Sequence, residues 1–339
     1  MKKNLSVSVL LDEADLPIGE TAGKPYHEDQ PTEFHIVKTL RELGHIVSII
    51  GVFDEVEPIL QKIKEYKPDV VFNLTEQFRN NRWLDKDIAG LMELLDVPFT
   101  GAGSTGLMLT RNKAICKQIL STRRIRVPGF FTVHPGKKVR VPRGVRFPLV
   151  VKPLYEDASD GISNASLVKN IDGLTARLLW VHETFNQPAI AEEFIDGREF
   201  YVSVIGNKRP KVLPFRELIF DTIENSGPVM ATSRVKWNRK YQKKWNIKFG
   251  FVKNIDERVA AQVSRVCKKV YRLLNIHDFG RVDIRLTPDN RIYILEANAN
   301  PDLHYNEDVA ESARKVDISY PQLINTILHS ALRRHQLSH

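Results

Sequence analysis

The chain is poor in cysteine: only Cys116 and Cys267 occur among 339 residues. Both fall in segments that read as helices, so neither a disulfide framework nor a cysteine zinc site can be built from them. They read as reduced, partly buried thiols of a cytosolic protein. Long apolar runs are missing too. No stretch reaches the ~18 residues that a membrane span requires. The start, "MKKNLSVSVLLDEAD", opens as a secretory signal does. Its apolar run is short and alternating, however, and meets Asp12, Glu13 and Asp15 with no small-residue cleavage site. It reads as a first β-strand, and the expected location is cytoplasmic with no membrane partner. Internal repeats and low-complexity segments are absent.

What is present is an ordinary soluble composition, 42% hydrophobic and 27% charged, with length for two or three domains. The net charge of +9 suits nucleotides or nucleic acid and does not choose between them. Up to about residue 110, strands and helices alternate with short joins. "LSVSVLL", "HIVSIIGV" and "DVVFNLT" read as strands and "VPFTG" as a short one. "TEFHIVKTLRELG", "EPILQKIKEYKP" and "DKDIAGLMELLD" read as helices, the first with Phe34, Val37, Leu40 and Leu43 on one face. This is the pattern of a doubly wound α/β domain. Further on, "RNKAICKQILSTRRI", "DGLTARLLWVHETF", "DERVAAQVSRVCKKVYRLLN" and "YPQLINTILHSALRR" read as helices. "LVVKPL", "AIAEEFI", "REFYVSVIGN" and "KVLPFRELIF" read as strands. The basic, aromatic stretch "ATSRVKWNRKYQKKWNIKFG" has no clean period.

Gly101, Gly103 and Gly106 in "FTGAGSTGLM" have the spacing of a dinucleotide fingerprint. That motif needs an acid about 20 residues on, or an arginine for a 2′-phosphate. Arg123, Arg124 and Arg126 stand there. The motif nevertheless closes a set of α/β units instead of opening one, so a tight crossing from the last strand into the helix that delivers Lys113 is the better reading.

The densest chemistry lies in "GRVDIRL" and "YILEANANPD", two strands joined by the turn Pro288-Asp289-Asn290. Period-2 alternation puts Glu296 and Asn298 on one face. If Asp283 shares it across the hairpin, three oxygen donors converge, as Mg²⁺ requires. The competing reading pairs these acids with Arg281 and Arg285 as structural salt bridges.

These strands, together with "FPLVVKPLYEDASDGIS", "IAEEFIDGREFYVSVIGN" and "VPFTGAG…LTRNKAICKQIL", resemble four ordered motifs of the ATP-grasp superfamily, in its D-alanine–D-alanine ligase-like branch. The resemblance runs from about Val70 to Leu328. It implies an ATP-grasp fold: an N-terminal doubly wound parallel-sheet domain (1–112), then two α+β domains (113–199 and 200–339) that clasp ATP. It also implies roles. Lys113 and Lys152 match the lysines that hold ATP phosphates, and Ser159 and Gly161 match the phosphate loop. Glu192, beside Glu193, matches the acid that accepts from the adenine amino group, and Phe194 and Ile195 match the adenine hinge. Glu199 matches the ribose acid. Asp283, Glu296 and Asn298 match the ligands of about two Mg²⁺ ions, for which Mn²⁺ can substitute. Arg281 and Lys152 match the groups that stabilise the transition state.

Two departures stand out. In the phosphate loop Asp157 and Ala158 replace small or hydroxyl residues of the family, and the acids Asp157 and Asp160 would repel phosphate unless turned away. The end of the first strand, "LLDEADLPIGETAGKPYHEDQPTEF", lacks the family's Gly-Gly turn, and leaves Glu28, Asp29 and Glu33 as candidates for amine recognition. Asp302 and Asn306 stand where the family has a Gly and a carboxylate-binding serine. The resemblance therefore implies an ATP-dependent carboxylate–amine ligase acting through an acyl phosphate on an amino acid or small peptide. A true D-alanine–D-alanine ligase is the alternative. From another class, so is a non-catalytic protein that binds nucleotide or nucleic acid, with nucleic acid the weaker. Residues 234–248 would form a substrate-covering lid. A homodimer is left open by analogy.

Overall fold

The computed structural model describes residues 4–12, 25–27, 29–157, 159–220 and 230–337, with the side chains of residues 236 and 237 outside the description. Most of the polar loop after Asp12, with Glu28 in it, and Ala158 of the phosphate loop lie outside the described residues.

The first sheet holds β1 (Ser6–Leu11), β2 (Ile46–Gly51) and β3 (Val70–Asn73), parallel in the order β2-β1-β3. α1 (Thr32–Glu42) lies on one face; α2 (Glu57–Tyr66) and α3 (Asp85–Leu94) lie on the other. Alternation along β1 sends Val7, Val9 and Leu11 toward Ile36, Val37 and Leu40 of α1, and Leu10 toward Ile59 and Ile63 of α2.

"VPFTG" is not a strand but a single parallel bridge, Phe99 to Val71. Pro98 accepts from the Val71 N–H but has none to donate, and Gly101 turns away at φ +89°. The glycine segment also enters a different helix from the one expected. It leads into α4 (Ser104–Arg111), and Lys113 opens a separate helix, α5 (Lys113–Thr122). Asn112 breaks the run and caps α5, its side chain accepting from Ala114 and Ile115 N–H at 3.2 and 3.1 Å. The nucleotide-fingerprint reading of these glycines falls here. A Cβ on Gly103 would lie 2.1 Å from a Glu93 oxygen, and that carboxylate takes the Ser104 N–H and hydroxyl at the start of α4. The place a phosphate would take at a helix N-terminus is filled by the chain's own acid.

The second sheet is antiparallel: β4 (Phe130–Val133), β5 (Leu149–Pro153), β6 (Leu167–Val168) and β7 (Ala189–Glu193), in the order β4-β7-β5-β6. α6 (Ile171–Phe185) covers it with Leu174, Leu178 and Val181.

The third sheet is antiparallel as well. β8 (Arg198–Ile205), β9 (Lys211–Val212), β10 (Arg216–Phe220), β11 (Ile247–Phe251), β12 (Phe279–Leu286) and β13 (Ile292–Asn298) run in the order β11-β10-β8-β12-β13, with β9 on β8. "KVLPFRELIF" is thus two strands, parted at Pro214. The basic stretch contains α7 (Ser233–Trp237), α8 (Arg239–Lys244) and then β11. Each helix spans under two turns, too short to print a period. α9 (Glu257–Leu273) backs the sheet with Val263, Cys267, Val270 and Tyr271 buried. Both cysteines are free and buried.

α10 (Asp308–Arg314) is an element the sequence reading lacked, and α11 (Tyr320–Gln336) closes the chain. α11 begins at a Ser319/Gln322 capping box and sends Leu323, Ile324, Ile327 and Leu328 into the core shared by β1 and α1. Among the described residues, no helix is long and apolar enough to cross a membrane.

Candidate active site

The two antiparallel sheets face each other across a cleft of about 610 Å³. Lys152, Ser159, Glu192, Glu193, Phe194, Ile195, Glu199, Asp283 and Glu296 all line it. Val150, Ile162 and Leu295 add apolar wall.

At the inner end, β5 and β7 pair so that Val150 faces Glu192 and Lys152 faces Ile190. Lys152 and Glu192 are diagonal neighbours on one face, with Nζ 2.9 Å from Oε2. The second carboxylate oxygen is 3.4 Å from Lys117 Nζ, delivered by α5, which also donates to the Leu295 carbonyl. Burial opposes the charge on Glu192, yet Lys117 and Lys152 together hold its carboxyl below the ordinary value. Burial pushes the Lys117 ammonium down. Lys152, equally buried, is held up by Glu192 and Glu296.

The β8/β12 register sets Arg285 opposite Glu199. The guanidinium donates to Glu199 Oε2 at 2.8 and 3.1 Å, and Tyr201 donates its hydroxyl to Oε1 at 3.0 Å. The β12/β13 register sets Asp283 opposite Glu296 and Arg281 opposite Asn298. All four therefore share one face. Arg281 grips Asp283 with two bonds, 2.8 and 3.1 Å, and reaches Asp308 of α10 at 3.4 Å. Asn298 donates to Asp283 at 3.4 Å. Lys113 stands 3.5 Å from Glu296 and donates to the Glu156 carbonyl.

The salt-bridge reading and the oxygen-donor reading of these strands therefore coexist. Asp283, Glu296 and Asn298 are two carboxylates and an amide converging on one face, a hard-oxygen set suited to Mg²⁺. Among the described residues, no three His, Cys, Asp or Glu side chains cluster as a metal site; a metal here would rely on the amide and on ligand oxygens.

Three expected residues behave differently from the rest. Glu193 lines the cleft, but its carboxylate accepts from the Gly129 and Arg146 N–H groups at 3.2 and 2.8 Å, pinning a neighbouring loop. Gly161 is not on the cleft wall. It turns the loop at φ +71°, where a Cβ would meet Pro153 and Phe185 within 3 Å, and its carbonyl accepts from Arg177. Ser159 donates to the Ala231 carbonyl at 3.2 Å, joining the phosphate-loop position to the foot of the basic stretch.

The two unexpected acids of that loop are not aimed at the cleft. Arg82 Nη1 donates to Asp157 at 3.0 Å and to Asp160 at 2.9 Å. Arg111 donates to the other Asp157 oxygen at 2.9 Å and to Asp85. Sequence reasoning missed Lys117, Tyr201, Asp308, Arg82 and Arg111. Lys117 had a signal, being four residues beyond Lys113 on one helix face. The two arginines had none.

With this geometry in place, known proteins can be compared. The family described as D-ala D-ala ligase C-terminus matches residues 127–329. A D-alanine–D-alanine ligase of Aquifex aeolicus is 27% identical over 86% of this chain and 92% of its own. An uncharacterised protein, y4sG, of Sinorhizobium fredii is 27% identical over 98% of both chains. Among solved structures, a D-alanine–D-alanine ligase of Bacillus anthracis complexed with ATP superposes with a TM-score of 0.75 at 20% identity, covering 99% of this chain and 100% of that one.

Proposed function

The chain belongs to the D-ala D-ala ligase C-terminal family and is an ATP-dependent carbon–nitrogen ligase of the ATP-grasp fold; on that premise we propose that it joins a small carboxylate to an amine through an acyl phosphate. The observation that carries this reading is the convergence of Lys152, Glu192, Glu199 and the Asp283/Glu296 pair on one cleft, with Lys113 3.5 Å behind Glu296.

Adenine fits between the apolar walls of Val150, Ile162 and Leu295, with its amino group toward Glu192 and its edge on the 194–195 backbone. Glu199 takes the ribose. Lys113 and Lys152 hold phosphate oxygens as point charges, and Ser159 belongs to the loop that covers them. Asp283, Glu296 and Asn298 would hold Mg²⁺, which when bound neutralises phosphate charge. A substrate carboxylate oxygen attacks the γ-phosphorus and the bond to the β-phosphate oxygen breaks, releasing ADP. Arg281 and Lys152 stabilise the charge that develops. The amine nitrogen then attacks the acyl carbon, the carbon–oxygen bond breaks, and phosphate leaves as the nitrogen loses a proton. No protein nucleophile takes part; positioning and electrostatics suffice.

We assign the units 1–112, 113–199 and 200–339, with nucleotide between the second and third. The substrates are an amino acid or small peptide on the carboxylate side and an amine on the other. Asp302, held by the Thr32 hydroxyl at 2.7 Å and its own turn at His304, stands beyond the metal strand and opposes a carboxylate there, which weighs against D-alanine as acceptor. A cytoplasmic location, where ATP is, belongs to this reading, and a homodimer rests on family analogy alone.

The test is phosphate release from MgATP over a panel of amino acids and peptides, D-alanine included, with mass detection of product. Release that needs both an acid and an amine supports the reading. Release with neither, or none with any pair, overturns it. Steep salt-dependent binding of RNA without Mg²⁺ would favour the nucleic-acid alternative.

A further inference from the structure

We propose that Arg82 and Arg111 are positioning residues for the phosphate loop: they take up its two acids, and so anchor the loop over the nucleotide without touching the nucleotide. This rests on the ATP reading of the cleft.

The loop from Tyr155 to Gly161 carries Glu156, Asp157 and Asp160, three carboxylates in a segment that must meet a polyanion. Like charges a few ångströms apart repel strongly when partly desolvated. The structure removes that conflict. Glu156 accepts from Gln187 at 2.8 Å. Asp157 uses one oxygen for Arg82 and the other for Arg111. Asp160 uses Arg82. None of the three lines the cleft, whereas Ser159 and Ile162 do.

The geometry is that of a clasp across a turn. The Asp160 N–H bonds the Asp157 carbonyl at 2.9 Å, and Ser159 between them sits at φ +65°. That turn brings two acids three residues apart onto one Arg82 nitrogen. Arg82 comes from the segment between β3 and α3, and Arg111 ends α4, so both hold the loop from the N-terminal side. Lys113 holds the Glu156 carbonyl, and Ser159 holds Ala231. The described residues of the loop are thus tied at several points, with its acids off the cleft wall and Ser159 on it.

The exposure of the pair separates this role from a structural one. The Arg82 side chain is 32% exposed, Asp157 39% and Asp160 44%. Ion pairs that open to water add little to global stability. Arg111 also pairs with buried Asp85, so Arg82 is the residue to change.

The experiment is calorimetric titration of ATP with Mg²⁺ into the full chain. Arg82→Met should weaken ATP binding by about tenfold or more, as misplacement of a positioning loop does, while the melting temperature stays close to wild type. Adding Asp157→Asn and Asp160→Asn to Arg82→Met should restore a large part of the affinity, because no unpaired acid then faces the phosphates. Arg82→Lys should restore part as well. Wild-type affinity in Arg82→Met, or a loss that removal of the acids does not relieve, overturns the proposal. Absence of ATP binding in the wild type overturns the ATP reading and this proposal with it.

Discussion

The nucleotide side of the cleft and the end of β1 bury carboxylates in opposite ways. At the proposed nucleotide side, four acids are matched by cations: Glu192 by Lys117 and Lys152, Glu199 by Arg285, Asp283 by Arg281, Glu296 by Lys113, while Glu193 takes two backbone N–H groups. At the end of β1, Asp12 accepts the Glu76 N–H, at 3.0 and 3.2 Å, and the Gln77 N–H, and among the described residues has no ion-pair partner. Burial, with Glu76 and Glu33 nearby, pushes its carboxyl up to about 7. A carboxylate can leave water by pairing or by taking up a proton. The first route keeps charge ready for a polyanion; the second makes the region sensitive to pH.

The largest effect should come from Lys152→Met. It removes both the proposed phosphate clamp and the closest counter-ion of Glu192, and substrate-dependent phosphate release should fall by on the order of 10²–10³. Activity within a few-fold of wild type would remove Lys152 from the catalytic role. Next is Lys117→Met, which removes one partner of Glu192 and the bond to the Leu295 carbonyl. Taking one partner from a buried ion pair costs about 3–5 kcal/mol, read as a lower urea midpoint. The sign with pH follows from Glu192. Its folded carboxyl lies below the ordinary value, so its contribution is present above the unfolded value and lost as pH falls through the folded one. With Lys117 gone that loss begins at higher pH, and the variant should unfold sooner in acid than wild type. An unchanged acid limb would mean that Lys152 alone holds Glu192.

The two sides also differ in how far the sequence discloses them. The hairpin of β12 and β13 is readable because period-2 alternation and the Pro288-Asp289-Asn290 turn are local signals; alternation puts Glu296 and Asn298 on one face, and the strand register then adds Asp283 to it. The lysine of "LVVKPL" was readable because a cation inside an apolar strand needs a reason. The partners were not readable. Arg82 reaches Asp157 across 75 residues and Arg111 across 46, and no periodicity carries information over such distances. The same holds for Gly103, whose spacing suggested a phosphate site until Glu93 was seen in it. α4, α5 and α10 were merged or missed because a seven- to ten-residue helix broken by one capping residue looks continuous in hydrophobic pattern. Local pattern gives faces, and long-range charge pairing decides what each face can hold.

The smallest effect tests the unpaired side. Asp12 titrates near 7 when folded and near 3.8 otherwise. Between those values the folded state holds a proton that the unfolded state has released, so stability is full below about pH 4 and declines as pH rises through 7. Asparagine mimics the protonated acid and can still accept the Glu76 N–H through its amide oxygen. Asp12→Asn should therefore match wild type at pH 4 and exceed it at pH 8 by roughly 1–2 kcal/mol, allowing for partial exposure. Denaturant melts across pH 4–8 read the difference between the two curves, in which every other titrating group cancels. Parallel curves would mean that Asp12 is charged and solvated in the folded chain, and the contrast between paired and protonated acids would then rest on the nucleotide side alone.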